Sequence, residues 1–109
     1  MPTNYKVLGQ AALTTSTANV YTVPAATQAV ISTIIVVNRN NNANATYRIA
    51  VQPAGAALAN QHYIAYDAPI TSLDAISLSL GLSLGNTDVV SVSSANANIS
   101  FSVFGTEIT

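Results

Sequence analysis

An all-β fold, a single-domain antiparallel β-sandwich of about eight strands spanning residues 1–109, is what this sequence predicts, and three observations carry that expectation. Short stretches rich in β-branched and aromatic residues recur along the chain, separated by Pro, Gly, Asn and Asp at the spacing of an all-β domain. No segment reads as a helix. Residues 76–84, ISLSLGLSL, alternate strictly, so that Ile76, Leu78, Leu80, Leu82 and Leu84 share one face and Ser77, Ser79, Gly81 and Ser83 the other. A chain of 109 residues is long enough for one domain with a modest core and too short for two.

Taken in order, NYKVL (4–8) is the first expected strand, and GQAALTTSTA after it is expected to cross rather than pair, on account of Gly9 and its Thr/Ser cluster. NVYTV (19–23) sets Val20 and Thr22 against Tyr21 and Val23 and stops at Pro24, which donates no ladder hydrogen bond. AVISTIIVVN (29–38) is the longest apolar run. Its lack of alternation predicts a central strand buried on both faces over part of its length. TYRIAVQ (46–52) places Tyr47, Ile49 and Val51 inward and Thr46, Arg48 and Ala50 outward. QPAGAALANQ (52–61) is the longest connection, with AALAN able to form one helical turn. HYIAYD (62–67) is a strand, APITSLD (68–74) a turn built around Pro69, and DVVSVSS (88–94) and ISFSVFGTEIT (99–109) complete the set. The expected core is Ile76, Leu78, Leu80, Leu82, Leu84, Ile49, Val51, Phe101 and Val103. Eight short strands with one long connection fit a sandwich of jelly-roll or immunoglobulin-like type.

Composition narrows the function. Only 6% of the residues are charged and the formal net charge is -1, where an ordinary soluble domain has about 25% charged residues. Neutral surfaces associate, which predicts a subunit whose surface is largely covered by partners. Lys6, Arg39 and Arg48 are too few to neutralise a phosphate backbone, so nucleic acid is not the expected partner. There is no cysteine, which excludes disulfides, thiolate metal sites and cysteine nucleophiles. The opening MPTNYKVLGQ shows no basic region followed by an apolar stretch, and no apolar run approaches about 18 residues. Neither export by that route nor a membrane partner is expected.

Catalysis finds little support. His62 is the single histidine, and a serine–histidine–acid arrangement would need Asp67 or Asp74 beside it, with no GxSxG elbow in the chain. The acids Asp67, Asp74, Asp88 and Glu107 are isolated from one another in sequence and lack the spacing of a calcium loop. A non-enzymatic protein without cofactor or metal is expected, with turn and cap roles for the aspartates.

Two stretches remain as candidate contact sites. In VVNRNNNANATYRIAV (36–51) eight residues of Asn, Arg and Ala separate two expected strands, where a two-residue turn would close the hairpin at lower entropic cost. Asn38, Arg39, Asn40, Asn41, Asn42 and Asn44 are therefore candidates for touching a neighbouring subunit or an underlying shell, since amides donate and accept together and Arg39 offers a planar five-donor fork. The alternative is a solvated hairpin tip. QHYIAYD (61–67) is the second stretch, with His62, Ile64 and Tyr66 on one face and Tyr63, Ala65 and Asp67 on the other. His62, Tyr63, Tyr66 and Asp67 form a candidate aromatic-polar patch able to stack a sugar ring and bind its hydroxyls, set against ordinary half-buried strand tyrosines. The NAT at 44 and NIS at 98 match glycosylation sequons and are expected to be chance matches in an Asn-rich chain.

YKVLGQ (5–10), YTVPAATQAVISTIIVVN (21–38), YRIAVQPAGAALANQHYIAYD (47–67) and SFSVFGTEI (100–108) resemble a family of small virion structural proteins of tailed bacteriophages, notably those infecting cyanobacteria. The resemblance runs over nearly the whole chain and lies in fold-bearing segments. It implies a virion location after assembly in the host cytoplasm, as a capsid decoration (cement) protein that binds and stabilises the shell, or as a tail, neck or fibre component; a carbohydrate-binding adhesin role is a further alternative, resting on the QHYIAYD patch. It also implies a homo-oligomer, a trimer by analogy with the threefold positions of icosahedral shells, partnered by the major capsid protein or other virion proteins. No motif of the family assigns a role to a particular residue.

Overall fold

The structure, a computed structural model, describes residues 3–13, 17–94 and 98–109. Its eight strands are β1 (Thr3–Leu13), β2 (Ala18–Thr22), β3 (Gln28–Asn38), β4 (Ala45–Gln52), β5 (Tyr63–Ile70), β6 (Ala75–Leu84), β7 (Val89–Ser93) and β8 (Ile99–Ile108). Pairing follows one rule: β1 with β8, β2 with β7, β3 with β6 and β4 with β5, all antiparallel. The chain is thus one long hairpin doubled back at the β4–β5 connection. It is rolled so that successive pairs fall into two sheets, ordered β1-β8-β3-β6 and β2-β7-β4-β5. This is the jelly-roll arrangement. The immunoglobulin alternative keeps the first two strands together in one sheet, whereas here β1 and β2 lie in opposite sheets.

Between the sheets lie Ile31, Ile34, Val36, Phe101 and Val103 from the first and Val20, Tyr47, Ile49, Val90 and Val92 from the second, all buried. The Tyr47 and Phe101 rings meet edge to face, centroids 6.2 Å apart at 72°. Of the expected core, Ile49, Phe101, Val103 and Leu84 are buried, and Ile76, Leu78, Leu82 and Val51 are partly so. β6 is an edge strand, which leaves Ile76, Leu78 and Leu82 only partly covered. The Leu80 side chain lies outside the described residues.

The first sheet carries a row of irregularities at one level. Leu8 is an extra residue of β1 against β8, Ser32 an extra residue of β3 against β8, and Leu80–Gly81 of β6 oppose Ser32 alone. Such bulges bend a sheet and raise its twist, and this row lets the sheet fold over the core. It also resolves the β3 run. Ala29 and Ile31 point inward before the bulge and Ile34, Val36 and Asn38 after it, so the alternation slips phase instead of disappearing. Burial on both faces is therefore corrected: Val30 remains 38% exposed and Ile35 and Val37 are intermediate. The central position holds, since β3 sits between β8 and β6.

Four further expectations change. β1 continues to Leu13, because Gly9 lets it pass against the Val20 carbonyl, where a β-carbon would collide, and so remain paired beyond that point. Val20 and Tyr21 are both buried, since β2 shifts register between Asn19 and Tyr21. Pro69 lies inside β5, opposite Thr46, instead of in a turn; β5 is an edge strand, where the missing N–H deprives no neighbour. The helical turn expected in residues 56–60 is replaced by two short 3-10 turns, Pro53–Gly55 and Asn60–His62.

Candidate functional site

The Asn-rich loop folds inward on its own amides. Asn38 is fully buried, and its Nδ2 donates to the carbonyls of Ala43 at 3.0 Å and Ile70 at 3.3 Å. Its Oδ1 accepts from the Asn40 N–H at 3.0 Å and the Asn40 Nδ2 at 2.9 Å. Asn38 is thereby corrected from a surface contact to an internal anchor, because at the end of β3 its parity is that of Ile34 and Val36. The Arg39 N–H donates to the Asn98 carbonyl at 2.8 Å, the Leu73 N–H to the Asn40 carbonyl at 3.0 Å, and the Ser72 N–H to Asn44 Oδ1 at 3.1 Å. Asn98 Nδ2 donates to Asn40 Oδ1 at 3.1 Å. Asn40 and Asn44 thus tie the 39–44 loop to its neighbours at one end of the sandwich. Arg39, Asn41 and Asn42 are exposed at this end of the sandwich, Arg39 being held there through its backbone N–H.

The aromatic-polar patch assembles differently from its alternation. Tyr47 opposes Ala68 and Ile49 opposes Ala65, so Tyr66 and Asp67 of β5 together face Arg48 of β4. A second shift follows at once, with Ala50 opposite Tyr63. Asp67 takes the left-handed backbone region, φ 51°. These two bulges bring Tyr63, Tyr66 and Asp67 onto Arg48, although strict alternation assigns Tyr66 and Asp67 to opposite faces. Arg48 Nε donates to Asp67 Oδ1 at 2.7 Å and Nη2 to Oδ2 at 3.2 Å. Its guanidinium carbon lies 4.0 Å from the Tyr66 ring centre and 5.9 Å from that of Tyr63. The two tyrosine rings meet edge to face, 5.0 Å apart at 81°. The hydrogen bonds from Arg48 hold the Asp67 carboxyl below the usual carboxylate range.

His62 does not join this cluster through its ring. Its Nδ1 accepts the Ala59 N–H at 3.1 Å and closes the Asn60–His62 turn. Arg48 is the member that sequence reasoning missed. Its outward parity was legible, but its partner lies 19 residues away and is set by the β4–β5 register. A cleft of about 250 Å³ lined by Thr17, Thr46, Arg48, Asp67, Ser93 and Ser94 flanks one side of the cluster. A second, of about 370 Å³, is lined by Asn60, Tyr63 and Tyr66.

A third feature is the outward face of the β1-β8-β3-β6 sheet. Successive cross-strand rows run Tyr5, Thr106, Val30, Ser83; then Val7, Phe104, Thr33, Ser79; then Gln10, Ser102, Ile35, Ser77; then Ala12, Ser100, Val37, Ala75. None of the seven charged side chains belongs to these rows. Lys6 Nζ pairs with the buried Glu107 at 2.7 Å, Arg48 pairs with Asp67, and Arg39 is in the loop. Asp74 caps its own turn from Thr71 and Ala75, and Asp88 accepts the N–H groups of Ala54 and Gly85, both at 2.8 Å. In comparisons with known proteins, no family model matches the chain and no curated protein matches it.

Proposed function

We propose that the chain is a non-enzymatic structural protein of a phage virion, a capsid decoration (cement) protein that binds and stabilises the shell as a homotrimer. The observation that carries this reading is the uncharged outward face of the β1-β8-β3-β6 sheet. Sheet faces turned to water carry charge, and one whose rows mix Tyr, Val, Phe and Ile with Ser, Thr and Gln and hold no charge suits burial against a neighbour. Four strands of ten or eleven residues, at about 3.3 Å per residue and about 4.8 Å between strands, make a face of roughly 650 Å². One partner contributes about 800 Å² to a specific interface, so this face, with a rim of loops, is of the right size to seat on the capsid protein. Exposed Arg39, Asn41 and Asn42 supply polar contacts at one end of the sandwich. The resemblance of YKVLGQ, YTVPAATQAVISTIIVVN, YRIAVQPAGAALANQHYIAYD and SFSVFGTEI to small virion proteins of tailed bacteriophages favours the same assignment.

Counting copies in purified virions by quantitative mass spectrometry tests the reading. Hundreds of copies per particle are expected; absence from the particle overturns it. A place in the tail, neck or fibre is the second reading, favoured by the Arg48–Asp67–Tyr63–Tyr66 cluster, and it predicts a few copies or a few dozen.

A further inference from the structure

The geometry points to a binding site for a neutral pyranose sugar at the β4–β5 bulge, formed by Tyr66, Tyr63, Arg48, Asp67 and Asn60. Its first support is the irregular register that the site maintains. Two register shifts fall between Tyr47 and Ala50 of β4, and Asp67 takes the left-handed region, which aspartate enters readily. The Arg48–Asp67 pair alone is a weak reason for such a register, since 35% and 49% of the two side chains are exposed and exposed pairs contribute little. What the bulge achieves is display: it turns Tyr63, Tyr66 and Asp67 toward one arginine at the surface, with Tyr66 58% exposed.

The chemistry of the displayed groups selects the ligand. Arg48 and Asp67 cancel each other, so the site attracts neither an anion nor a cation by net charge. Each keeps unused capacity, because a guanidinium has five N–H donors and a carboxylate about four acceptor positions, of which the pair uses two of each. Paired donors and acceptors next to one another match vicinal hydroxyls. The guanidinium at 4.0 Å already stacks on Tyr66, which disfavours a flat aromatic ligand on that face. The C–H face of a pyranose ring packs instead along the open part of Tyr66 and the edge of Tyr63, with the Asn60 amide across the same cleft. The 370 Å³ cleft, lined by Asn60, Tyr63 and Tyr66, falls at the small end of ligand sites and suits one or two sugar units, while Arg48 and Asp67 line the 250 Å³ cleft beside it, so the sugar must bridge the two to meet the pair. The site lies on β4 and β5, in the sheet opposite the uncharged face, so it stays accessible when that face is covered. It stands independently of which virion structure carries the chain.

The test is an amide-resolved NMR titration of the full chain with the methyl pyranosides of glucose, galactose and mannose and with maltose, cellobiose and lactose. Saturable shifts at Arg48, Tyr63, Tyr66 and Asp67 are expected with at least one of these, at dissociation constants of about 1 mM. Raising the salt concentration should leave the affinity unchanged, as the ligand is neutral. Tyr66→Ala and Asp67→Asn should each weaken binding about tenfold or more while the melting temperature holds. Asparagine tolerates the left-handed region, which separates loss of the carboxylate from loss of the bulge. Replacing Asn41 and Asn42 should leave sugar affinity unchanged. No saturable shift with any of the six sugars overturns the proposal, as do shifts centred away from the bulge or full affinity in Tyr66→Ala. Virion copy number is read independently, so failure here leaves the coat assignment standing and the reverse also holds.

Discussion

At the level of single residues, the inner polar cluster shows how a nearly uncharged chain places its charges. Glu107 lies inward on β8, where Lys6 Nζ meets Oε1 at 2.7 Å and the buried Tyr21 hydroxyl donates to Oε2 at 2.6 Å. Lys6, then Tyr21, hold the Glu107 carboxyl below the usual carboxylate range against the opposing effect of burial. The folded state therefore binds this proton less tightly than the unfolded chain does. Its stabilisation is complete above the unfolded value of about 4.3 and is lost as pH falls through the lower folded value. Thermal melts between neutral and acid pH should show the loss, and Glu107→Gln should flatten that acid limb. Tyr21→Phe should cost about 1.5–3 kcal/mol at neutral pH, measured by denaturant unfolding, because it removes a buried hydrogen bond to a charged acceptor. Gly105 is a steric counterpart. A β-carbon there would collide with the Val30 carbonyl oxygen and come within 3.0 Å of the Ile31 Cα, both backbone atoms that yield little. Gly105→Ala should destabilise by about 1–3 kcal/mol in the same assay.

Among the elements, the β3–β4 loop and the β4–β5 bulge behave in opposite ways. The loop is long because its amides replace a tight turn with an internal network centred on Asn38, which accepts twice and donates twice. Asn38→Ala should cost about 1–3 kcal/mol in denaturant unfolding, since the Ile70 carbonyl and the Asn40 N–H then lose their partner. Replacing the exposed Asn41 and Asn42 by Gly and Ser should shift stability by less than about 0.5 kcal/mol. Comparable losses at both positions would show that the outer loop is structural as well. The bulge, by contrast, holds its polar groups at the surface, where Arg48 meets Asp67 and the Tyr66 ring from the neighbouring strand.

For the molecule as a whole, the two sheets have unlike outer faces. The β1-β8-β3-β6 sheet turns uncharged rows outward, while the β2-β7-β4-β5 sheet bears the Arg48–Asp67 pair. Introducing Val7→Lys and Val30→Lys together, at side chains already 48% and 38% exposed, should change folding stability by less than about 1 kcal/mol. If the proposed seating on a capsid holds, occupancy of particles stripped of the protein and re-exposed to the variant should fall by about tenfold or more, since two ammonium groups would have to be desolvated in that interface. Binding equal to the parent would move the interface to another surface.

The local pattern of residues was sufficient for the all-β class, the number of strands, the inward register of β6, of β8 and of β4 as far as Ile49, and the central position of β3; Ala50, expected outward, is buried because the β4–β5 register shifts between Ile49 and Ala50. Each rests on a period of two, a property of the strand itself, so Tyr47, Ile49, Leu84, Phe101 and Val103 could be assigned to the interior without any partner in view. Roles that depend on a neighbouring strand were not legible. The bulges at Ser32 and at Tyr66–Asp67 exist only as a mismatch between two strands, and no single run of residues displays one. Asn38 reads as a loop residue until the phase of β3 turns it inward, and Arg48 reads as an ordinary outward side chain until β5 delivers Asp67 from 19 residues away. The choice of jelly roll over immunoglobulin order belongs with these, because alternation says which face of a strand is buried but carries no information about which strand lies beside it.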